Sequence, residues 1–194
     1  MIREEDTGAT PLSPEEADGL RLTHVTTRGE LNRWELDNIT EAMAWVQREK
    51  PTDILNESFV RELHRRMFGT VWTWAGRFRK SDKNLGVAWP HVPEQVRSLC
   101  DDARVWLDLR EERPDEIAVR VHHRLVSIHP FPNGNGRHAR LMTDVLLQFV
   151  LHRPPFTWGR LDLTKPGNAR ARYLAALRRA DRGDLGPLLE FARS

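Results

Sequence analysis

Residues 129–140 read HPFPNGNGRHAR and join two segments whose apolar side chains recur at the spacing of an α-helix. The preceding segment predicts a helix that Pro114 opens and that ends at His129, because the residue before a proline is turned away from helical backbone angles. The following segment is apolar enough to predict a central, buried helix, which stops before a pair of prolines. The apolar positions are Ile117, Val121, Leu125 and Ile128 before the loop, and Leu141, Met142, Val145, Leu146, Phe149 and Val150 after it.

Five further apolar patterns predict helices on either side of this pair. They begin near Leu31, Phe59, Val96, Asn168 and Pro187, with the Asn168 side chain as the predicted cap of its helix. The β signal is confined to Phe78–Val87, where a polar tip at 81–84 predicts a small hairpin. Since no alternating βαβ pattern is present, the predicted fold class is all-α, a helical bundle with one β-hairpin attached.

Composition predicts a single soluble domain and excludes several classes of function. The chain has 194 residues, and its 30 basic and 28 acidic residues leave a formal net charge of +2. This balance provides no broad positive field for nucleic acid or for an acidic membrane, so neither is expected as a partner. The single cysteine, Cys100, cannot form an intramolecular disulfide, and no apolar run approaches the ~20 residues of a membrane span. We therefore expect a cytoplasmic protein, with 1–22 as a polar leader without structure of its own and 23–194 as the domain.

The loop itself has the features of an anion-binding site. Gly134, Asn135 and Gly136 lie where the apolar helix begins, so unpaired backbone N–H groups and the positive end of the helix dipole point to one place. Phosphate binds at such places. Arg137 and Arg140 are three residues apart and are predicted to project on one side of the helix, towards the same polyphosphate.

His129, at the other end of the loop, is the candidate general base, because an imidazole titrates near neutral pH. A base beside a phosphate-binding turn predicts phosphoryl or nucleotidyl transfer. Asn133 is a weaker candidate, an amide oxygen that would ligate Mg²⁺. A G-x-G turn alone is common between helices, but a base, a fixed turn and two arginines within twelve residues favour a functional site.

The stretch HPFPNGNGRHAR resembles the signature of the Fic (Fic/Doc) family, H-P-F-x-[D/E]-G-N-G-R-x-x-R, at every specified position except 133. Two further segments resemble the family, WAGRFRKSDKNLG at 74–86 and RYLAALRRADRGDLGPLLEFA at 172–192. The resemblance extends roughly from residue 30 to the C-terminus. The segments ATPLSPEEADGL, TTRGELNRWELDNI and RELHRRMFGTVWTWAGRFR resemble the subgroup called mobile mystery protein B, bacterial proteins encoded beside a helix-turn-helix partner.

The resemblance implies a protein adenylyltransferase that moves AMP from ATP to a Ser, Thr or Tyr hydroxyl of a target protein, as the toxin-like half of a bacterial toxin-antitoxin module. His129 would be the catalytic base. Gly134, Asn135 and Gly136 would hold the α- and β-phosphates, with Arg137 on the β-phosphate and Arg140 on the γ-phosphate. The family has an acid that ligates Mg²⁺ at position 133, so Asn133 is a departure and weakens the expected metal site.

The resemblance also implies a flap, about residues 77–89, that docks the target segment beside the nucleotide. Its predicted contact residues are Phe78, Lys80, Leu85 and Val87. Glycine at 136 favours AMP transfer over the Doc-like branch, which has lysine there and phosphorylates its target. The alternatives that Asn133 leaves open are a catalytically silent scaffold that binds nucleotide or a partner, and transfer of another phosphate-containing group.

Two more groups of residues have competing interpretations. Glu30 partly fits the family's inhibitory pattern, in which a glutamate pairs with the second motif arginine, but Thr27 and Glu30 also form a capping box, which we favour. Arg61, Arg65 and Arg66 are interleaved with acidic residues, which favours a solvated helix face over contact with nucleic acid.

Overall fold

The computed structural model describes residues 12–22, 24–109, 113–160 and 167–194 and confirms the all-α fold class. Each of the seven helices predicted from apolar periodicity is present, and a short helix precedes them. The helices are α1 (Pro14–Ala17), α2 (Arg28–Glu49), α3 (Glu57–Phe68), α4 (Val92–Leu109), α5 (Pro114–Ile128), α6 (Asn135–Val145), α7 (Asn168–Ala180) and α8 (Gly186–Arg193). Within these ranges, no helix combines the length and the apolar character needed to cross a membrane.

The core consists of two hydrophobic clusters that meet at α5 and α6. The larger cluster includes Leu63, Met67, Leu125 and Met142 and lies among α2 to α6. The smaller one packs α7 and α8 against the outer side of α5, around residues such as Ala118 and Leu188. Because α5 contributes residues to both clusters and α6 to the larger one, the loop that joins the two helices is held in a fixed place.

The predicted β-hairpin is absent from the described chain, and this prediction was wrong. Residues 77–88 are irregular, and the backbone N–H groups of Arg79 and Val87 pair with the loop after α5 and with the end of α5 itself. The N–H of Arg79 donates to the Pro130 carbonyl at 3.0 Å, and the N–H of Val87 donates to the Ile128 carbonyl at 3.4 Å. We call residues 77–89 the flap segment; it covers the 129–140 loop without forming a ladder.

The leader was predicted to lack structure, and this was wrong for residues 12–22. Ser13 caps α1 in a reciprocal capping box with Glu16. The backbone then runs beside the loop after α3, where the Thr73 N–H donates to the Gly19 carbonyl at 2.9 Å. Glu16 also forms an ion pair with Lys83, whose side chain is only 5% exposed, so this segment is attached to the flap segment.

Helix ends differ from prediction in one respect. Asn168 was predicted to cap α7 with its side chain, but it is the first helical residue, and the cap position is Gly167, which has no side chain to donate or accept. The chain continues beyond α6 as a wider π-helical turn at Leu146–Val150 before the predicted stop at the prolines.

Candidate functional site

The loop before α6 is fixed by its own polar groups. His129 caps the C-terminus of α5 in the left-handed region, with φ 55° and ψ 61°, and Gly134 precedes α6 with φ 77°. Between them, Oδ1 of Asn135 accepts the Phe131 N–H at 2.9 Å, and Nδ2 of Asn135 donates to the Phe131 carbonyl at 2.7 Å. Because this buried carboxamide is used to close the loop, Asn135 can offer a nucleotide only its backbone N–H.

Arg79 holds His129 in position, and sequence reasoning did not select it. The residue is 2% exposed, and its Nε donates to the His129 carbonyl at 2.7 Å. Its other nitrogens donate to the carbonyls of Ser81 at 2.9 Å, Ile128 at 3.4 Å and Val87. One guanidinium therefore ties both arms of the flap segment to the end of α5. A single charged residue inside an irregular loop gives no periodic signal, so the sequence could not reveal this role.

The His129 side chain is buried beneath the flap segment. A Cβ atom on Gly86, which has φ +106°, would lie 2.8 Å from the His129 Cβ, so the flap approaches here at a distance that only glycine allows. Burial lowers the pKa of His129 to about 4, and the charges of Arg79 and Lys83 add to this effect. At neutral pH the imidazole is therefore uncharged and able to accept a proton.

The first turn of α6 presents backbone donors to open space. Gly134 gives the helix no side-chain cap, so the first N–H groups of α6 have no partner within the helix. A Cβ atom on Gly136 would meet, among the described residues, only the Arg140 guanidinium at 3.7 Å. The free backbone N–H groups, the positive end of the helix dipole and the Arg140 guanidinium thus point to one place. Phosphate groups bind at helix N-termini with this arrangement.

Asn133 uses its side-chain oxygen within the loop. Its Oδ1 accepts the Gly134 N–H at 2.6 Å, and its carbonyl lies 3.1 Å from Nε2 of His64. Within the described parts of the chain, no group of three or more His, Cys, Asp or Glu side chains is placed to hold a metal. One neutral oxygen that already accepts a hydrogen bond fits Mg²⁺ poorly, since this ion prefers carboxylate and phosphate oxygens. The phosphates of a nucleotide would have to provide most of its ligands.

Arg137 forms an ion pair with Glu35 of α2. Glu35 is the second site residue that the sequence analysis did not select. Oε2 of Glu35 accepts from Arg137 at 2.6 Å, and Oε1 accepts the indole N–H of Trp72 at 2.7 Å. The Arg137 guanidinium also lies 4.9 Å from the centre of the Phe68 ring. Since Glu35 is 3% exposed, this carboxylate is a buried negative charge beside the predicted phosphate site.

A sequence signal for Glu35 exists. Leu31, Glu35, Asn38 and Ala42 follow one another at steps of four, three and four, and all four are buried on one face of α2. A carboxylate on the buried stripe of a helix requires a partner, because an unpaired buried charge is very costly.

Arg140 contacts Tyr173 of α7, whereas Arg137 contacts α2. Its guanidinium lies 5.8 Å from the centre of the Tyr173 ring and hydrogen-bonds to the Tyr173 hydroxyl, which also lies 2.9 Å from Nε2 of His122. Asp144, one turn further along α6, accepts from the Trp158 indole at 3.1 Å, and burial raises the pKa of Asp144 to about 7. Arg137 and Arg140 both lie near the start of α6, but Arg137 is held by α2 and Arg140 by α7.

The predicted flap residues are not equivalent in the structure. Phe78 packs 5.7 Å from the Phe131 ring and supports the loop, and the backbone of Val87 is bonded to Ile128 and Arg79. Lys80 and Leu85 are exposed, Leu85 by 56%, and remain accessible to another molecule.

Glu30 occupies the capping box that we favoured. Its Oε2 accepts the N–H groups of Thr26 and Thr27, both at 3.1 Å, and the Thr27 hydroxyl accepts the Glu30 N–H. These bonds lower the pKa of Glu30. The carboxylate that meets a motif arginine is instead Glu35.

Comparison with known proteins identifies the family of this chain. Residues 54–147 match the model of the Fic/DOC family. The chain is 34% identical over 146 residues to protein adenylyltransferase fic-1 of Caenorhabditis elegans, covering 73% of this chain and 27% of that protein. It is 32% identical over 134 residues to protein adenylyltransferase Fic of Drosophila mojavensis, covering 67% and 26%. The chain thus spans about a quarter of the length of these relatives.

Solved structures show the same fold. Fic-1 (residues 134–508) of C. elegans superposes with a TM-score of 0.66 at 28% identity, covering 82% of this chain and 47% of that one. BepC of Bartonella tribocorum, solved with bound AMPPNP, superposes with a TM-score of 0.67 at 16% identity, covering 93% and 97%.

The fold and the site define an all-α protein whose central loop joins a buried histidine to a helix start without a side-chain cap. With the family model and the similar chains above, this loop places the chain in the Fic/DOC family.

Proposed function

We propose that this chain is a protein adenylyltransferase, which transfers AMP from ATP to a hydroxyl group of a target protein. The observation that carries the proposal is the uncharged, buried His129 fixed beside the open first turn of α6 and its two arginines. The relatives named protein adenylyltransferase support the same activity.

The residues suit a nucleotidyl transfer in the following way. His129 takes the proton from the target hydroxyl as its oxygen forms a bond to the α-phosphorus, the bond from that phosphorus to the bridging oxygen breaks, and pyrophosphate leaves. The backbone N–H groups at the start of α6 stabilise the charge on the phosphate oxygens. Arg140, and Arg137 once it leaves Glu35, hold the pyrophosphate part of ATP.

The flap segment is the proposed docking place of the target. It covers His129, and its exposed residues Lys80 and Leu85 lie on the same segment as Gly86, which approaches the His129 side chain. A target segment bound along this irregular backbone would present its hydroxyl to the imidazole.

Labelled ATP tests the reaction. We expect label from α-³²P-ATP to enter protein with the wild-type chain and not with His129→Ala. Label that enters only from γ-³²P-ATP would show a kinase instead, and transfer that survives His129→Ala would contradict the assigned base. Identification of the labelled proteins from a lysate by mass spectrometry would name the target.

A second candidate, a scaffold that binds nucleotide without reaction, is favoured by the engaged side-chain oxygen of Asn133 and by the Glu35–Arg137 pair. Tight ATP binding without any labelled product supports it.

Asn133→Asp provides a further test of the enzyme. If the chain is an Mg²⁺-assisted enzyme, this variant transfers AMP faster as the Mg²⁺ concentration is raised. An unchanged response to Mg²⁺ contradicts the assigned importance of position 133.

The biological setting is part of the proposal and rests on the resemblance of three sequence segments to mobile mystery protein B. In that setting the protein is a cytoplasmic, toxin-like member of a bacterial two-gene module and has a helix-turn-helix protein as its neighbour. Co-purification of the chain with the product of the adjacent gene would test this pairing.

A further inference from the structure

A groove lined by arginines lies beside the site and is not part of it. It has a volume of about 560 Å³ and runs between α2, α3 and the loop at 69–77. None of the residues at 129–140 lines it. Its position matters because the loop that forms one wall continues directly into the flap segment.

Five arginines line the groove, and one carboxylate accompanies them. The arginines are Arg21, Arg61, Arg65, Arg66 and Arg77, and the carboxylate is Glu41. Four of these arginines are exposed and Arg66 is half-buried. The sequence interpretation of Arg61, Arg65 and Arg66 as a solvated helix face did not include Arg21 and Arg77, which come from elsewhere in the chain and concentrate the charge in a concave place.

Two of the five guanidinium groups are available to a ligand. Arg61, Arg65 and Arg66 share their charge with Glu57 and Glu62 of α3, at distances of 2.6 to 3.3 Å. By contrast, the side chains of Arg21 and Arg77 form no hydrogen bond or ion pair with the residues that the structure describes. The floor adds neutral polar groups, among them Asn38, which donates to the Thr70 hydroxyl.

The aromatic residues nearby argue against nucleic acid as the occupant. Single strands bind where bases stack on accessible rings. Trp72 is 3% exposed and donates to Glu35, and the Trp45 ring is covered by the Arg66 guanidinium at 4.1 Å. The groove therefore provides guanidinium groups but, among its described lining residues, no exposed aromatic ring on which a base could stack. Guanidinium groups bind carboxylates through two parallel hydrogen bonds, so the groove suits acidic side chains.

We infer that this groove binds an acidic segment of the target protein and so helps to select the substrate. The inference rests on the proposed function, because it makes the groove an extension of the flap segment where the target docks. Substrates would then carry Glu or Asp residues close to the modified hydroxyl, with Arg21 and Arg77 as the residues that pair with them.

Peptide binding tests the groove without requiring any reaction. The probe is a fluorescein-labelled octaglutamate peptide, followed by anisotropy at low salt with the full chain. We expect it to bind at least about tenfold more tightly than the octaglutamine peptide, and the double variant Arg21→Glu/Arg77→Glu to lose about tenfold in affinity. Arg21→Gln/Arg77→Gln, which is the milder change, should lose less than the double reversal but more than the control.

The matched control is Arg153→Glu/Arg182→Glu, which reverses the same number of charges on exposed arginines outside the groove. It should change the affinity by less than about twofold. Equal losses in the control and groove variants, or no loss in the groove variant, would overturn the inference. So would tighter binding of tripolyphosphate or of a single-stranded oligonucleotide through Arg21 and Arg77.

The transfer reaction provides a second readout. With acceptor peptides that carry an acidic flank, the groove variant should raise KM about tenfold and leave kcat unchanged, while ATP affinity stays the same. Octaglutamate should bind equally well to the His129→Ala variant. If no peptide or protein accepts AMP but octaglutamate binding depends on Arg21 and Arg77, the proposed function fails and the acidic-segment site remains.

Discussion

At the scale of single residues, the environment of His129 sets the pH at which it can act as a base. The flap segment removes the imidazole from water, and the positive charges of Arg79 and Lys83 disfavour a third positive charge beside them. Both effects lower the pKa, so the ring remains a proton acceptor at all pH values well above about 4.

The pH profile of AMP transfer should reflect this. We expect kcat/KM to stay nearly constant from pH 8 to pH 6 and to fall only as the pH approaches the lowered pKa of His129. In Lys83→Gln the acidic limb should move to higher pH, because one of the charges that lowers the pKa is removed. Lys50→Gln, an exposed lysine outside the flap segment, is the control. A limb centred near pH 6.5 in the wild type, the value of a solvated histidine, would contradict the argument.

Glu35 is the second residue with a clear consequence, since it pairs with Arg137, the arginine that we propose binds a phosphate of ATP. Glu35→Gln keeps an oxygen for the Trp72 indole and removes the negative charge that competes for Arg137. We expect the Kd of a non-hydrolysable ATP analogue, measured by calorimetry, to fall about three- to tenfold. Glu30→Gln, which affects only the cap of α2, should leave that Kd unchanged. Weaker nucleotide binding by Glu35→Gln would show that Glu35 positions Arg137 instead of competing for it.

At the scale of elements, the flap segment is held by a side chain where a hairpin was expected. Its two arms do not pair because the Arg79 guanidinium lies between them and satisfies the carbonyls of Ser81 and Val87. The same group bonds to Ile128 and His129, so the segment and the end of α5 form one unit.

Arg79→Lys tests this unit. A lysine keeps the charge but lacks the planar set of donors, so several buried carbonyls lose their partners, at about 1–3 kcal/mol each. We expect a lower midpoint in urea unfolding and a kcat reduced at least about tenfold, since His129 loses its anchor. The Kd of the ATP analogue should change less, because the hydrogen bonds of the Arg79 side chain go to the flap segment and to residues 128 and 129. Arg153→Lys, an exposed arginine outside both the flap segment and the groove, serves as the comparison, and equal behaviour of the two variants would contradict the anchoring role.

The elements also show what the sequence can and cannot predict. The helices follow from apolar periodicity because each buries one stripe, and the site loop follows from local chemistry because its residues are neighbours in the chain. Glu35 and Arg79 act through contacts 102 and 50 residues away. The buried stripe of α2 indicates that Glu35 needs a partner, but no local pattern identifies Arg137 as that partner or predicts the contact of Arg79 with His129. The attachment of residues 12–22 depends in the same way on Glu16 meeting Lys83 across the fold.

At the scale of the whole molecule, four buried histidines couple stability to pH. Burial lowers the pKa of His122 to about 3 and of His129 and His138 to about 4, and it lowers the pKa of His64 well below its usual value. Below pH ~6.5 the unfolded chain binds a proton at each of these histidines while the folded chain does not, so stability falls as the pH falls from about 6.5 towards 4.

Asp144 has the opposite effect on the pH dependence of folding stability. Its pKa is raised to about 7, so the folded chain holds a proton that an unfolded carboxyl releases near pH ~4, and this contribution favours folding at lower pH. The net difference is roughly three protons, which gives at most ~4 kcal/mol per pH unit between pH 6 and 5.

Urea unfolding at pH 7, 6 and 5 measures this slope. We expect the free energy of unfolding to fall with pH over this range, and to fall less steeply in His138→Gln, which removes one proton-binding group. Asp144→Asn should make the slope steeper, because it removes the opposing contribution. His91→Gln, at an exposed position, should leave it unchanged. A free energy of unfolding that does not depend on pH from 7 to 5 would mean that the four imidazoles are accessible to protons in the folded protein, and the same accessibility at His129 would remove the basis for its lowered pKa.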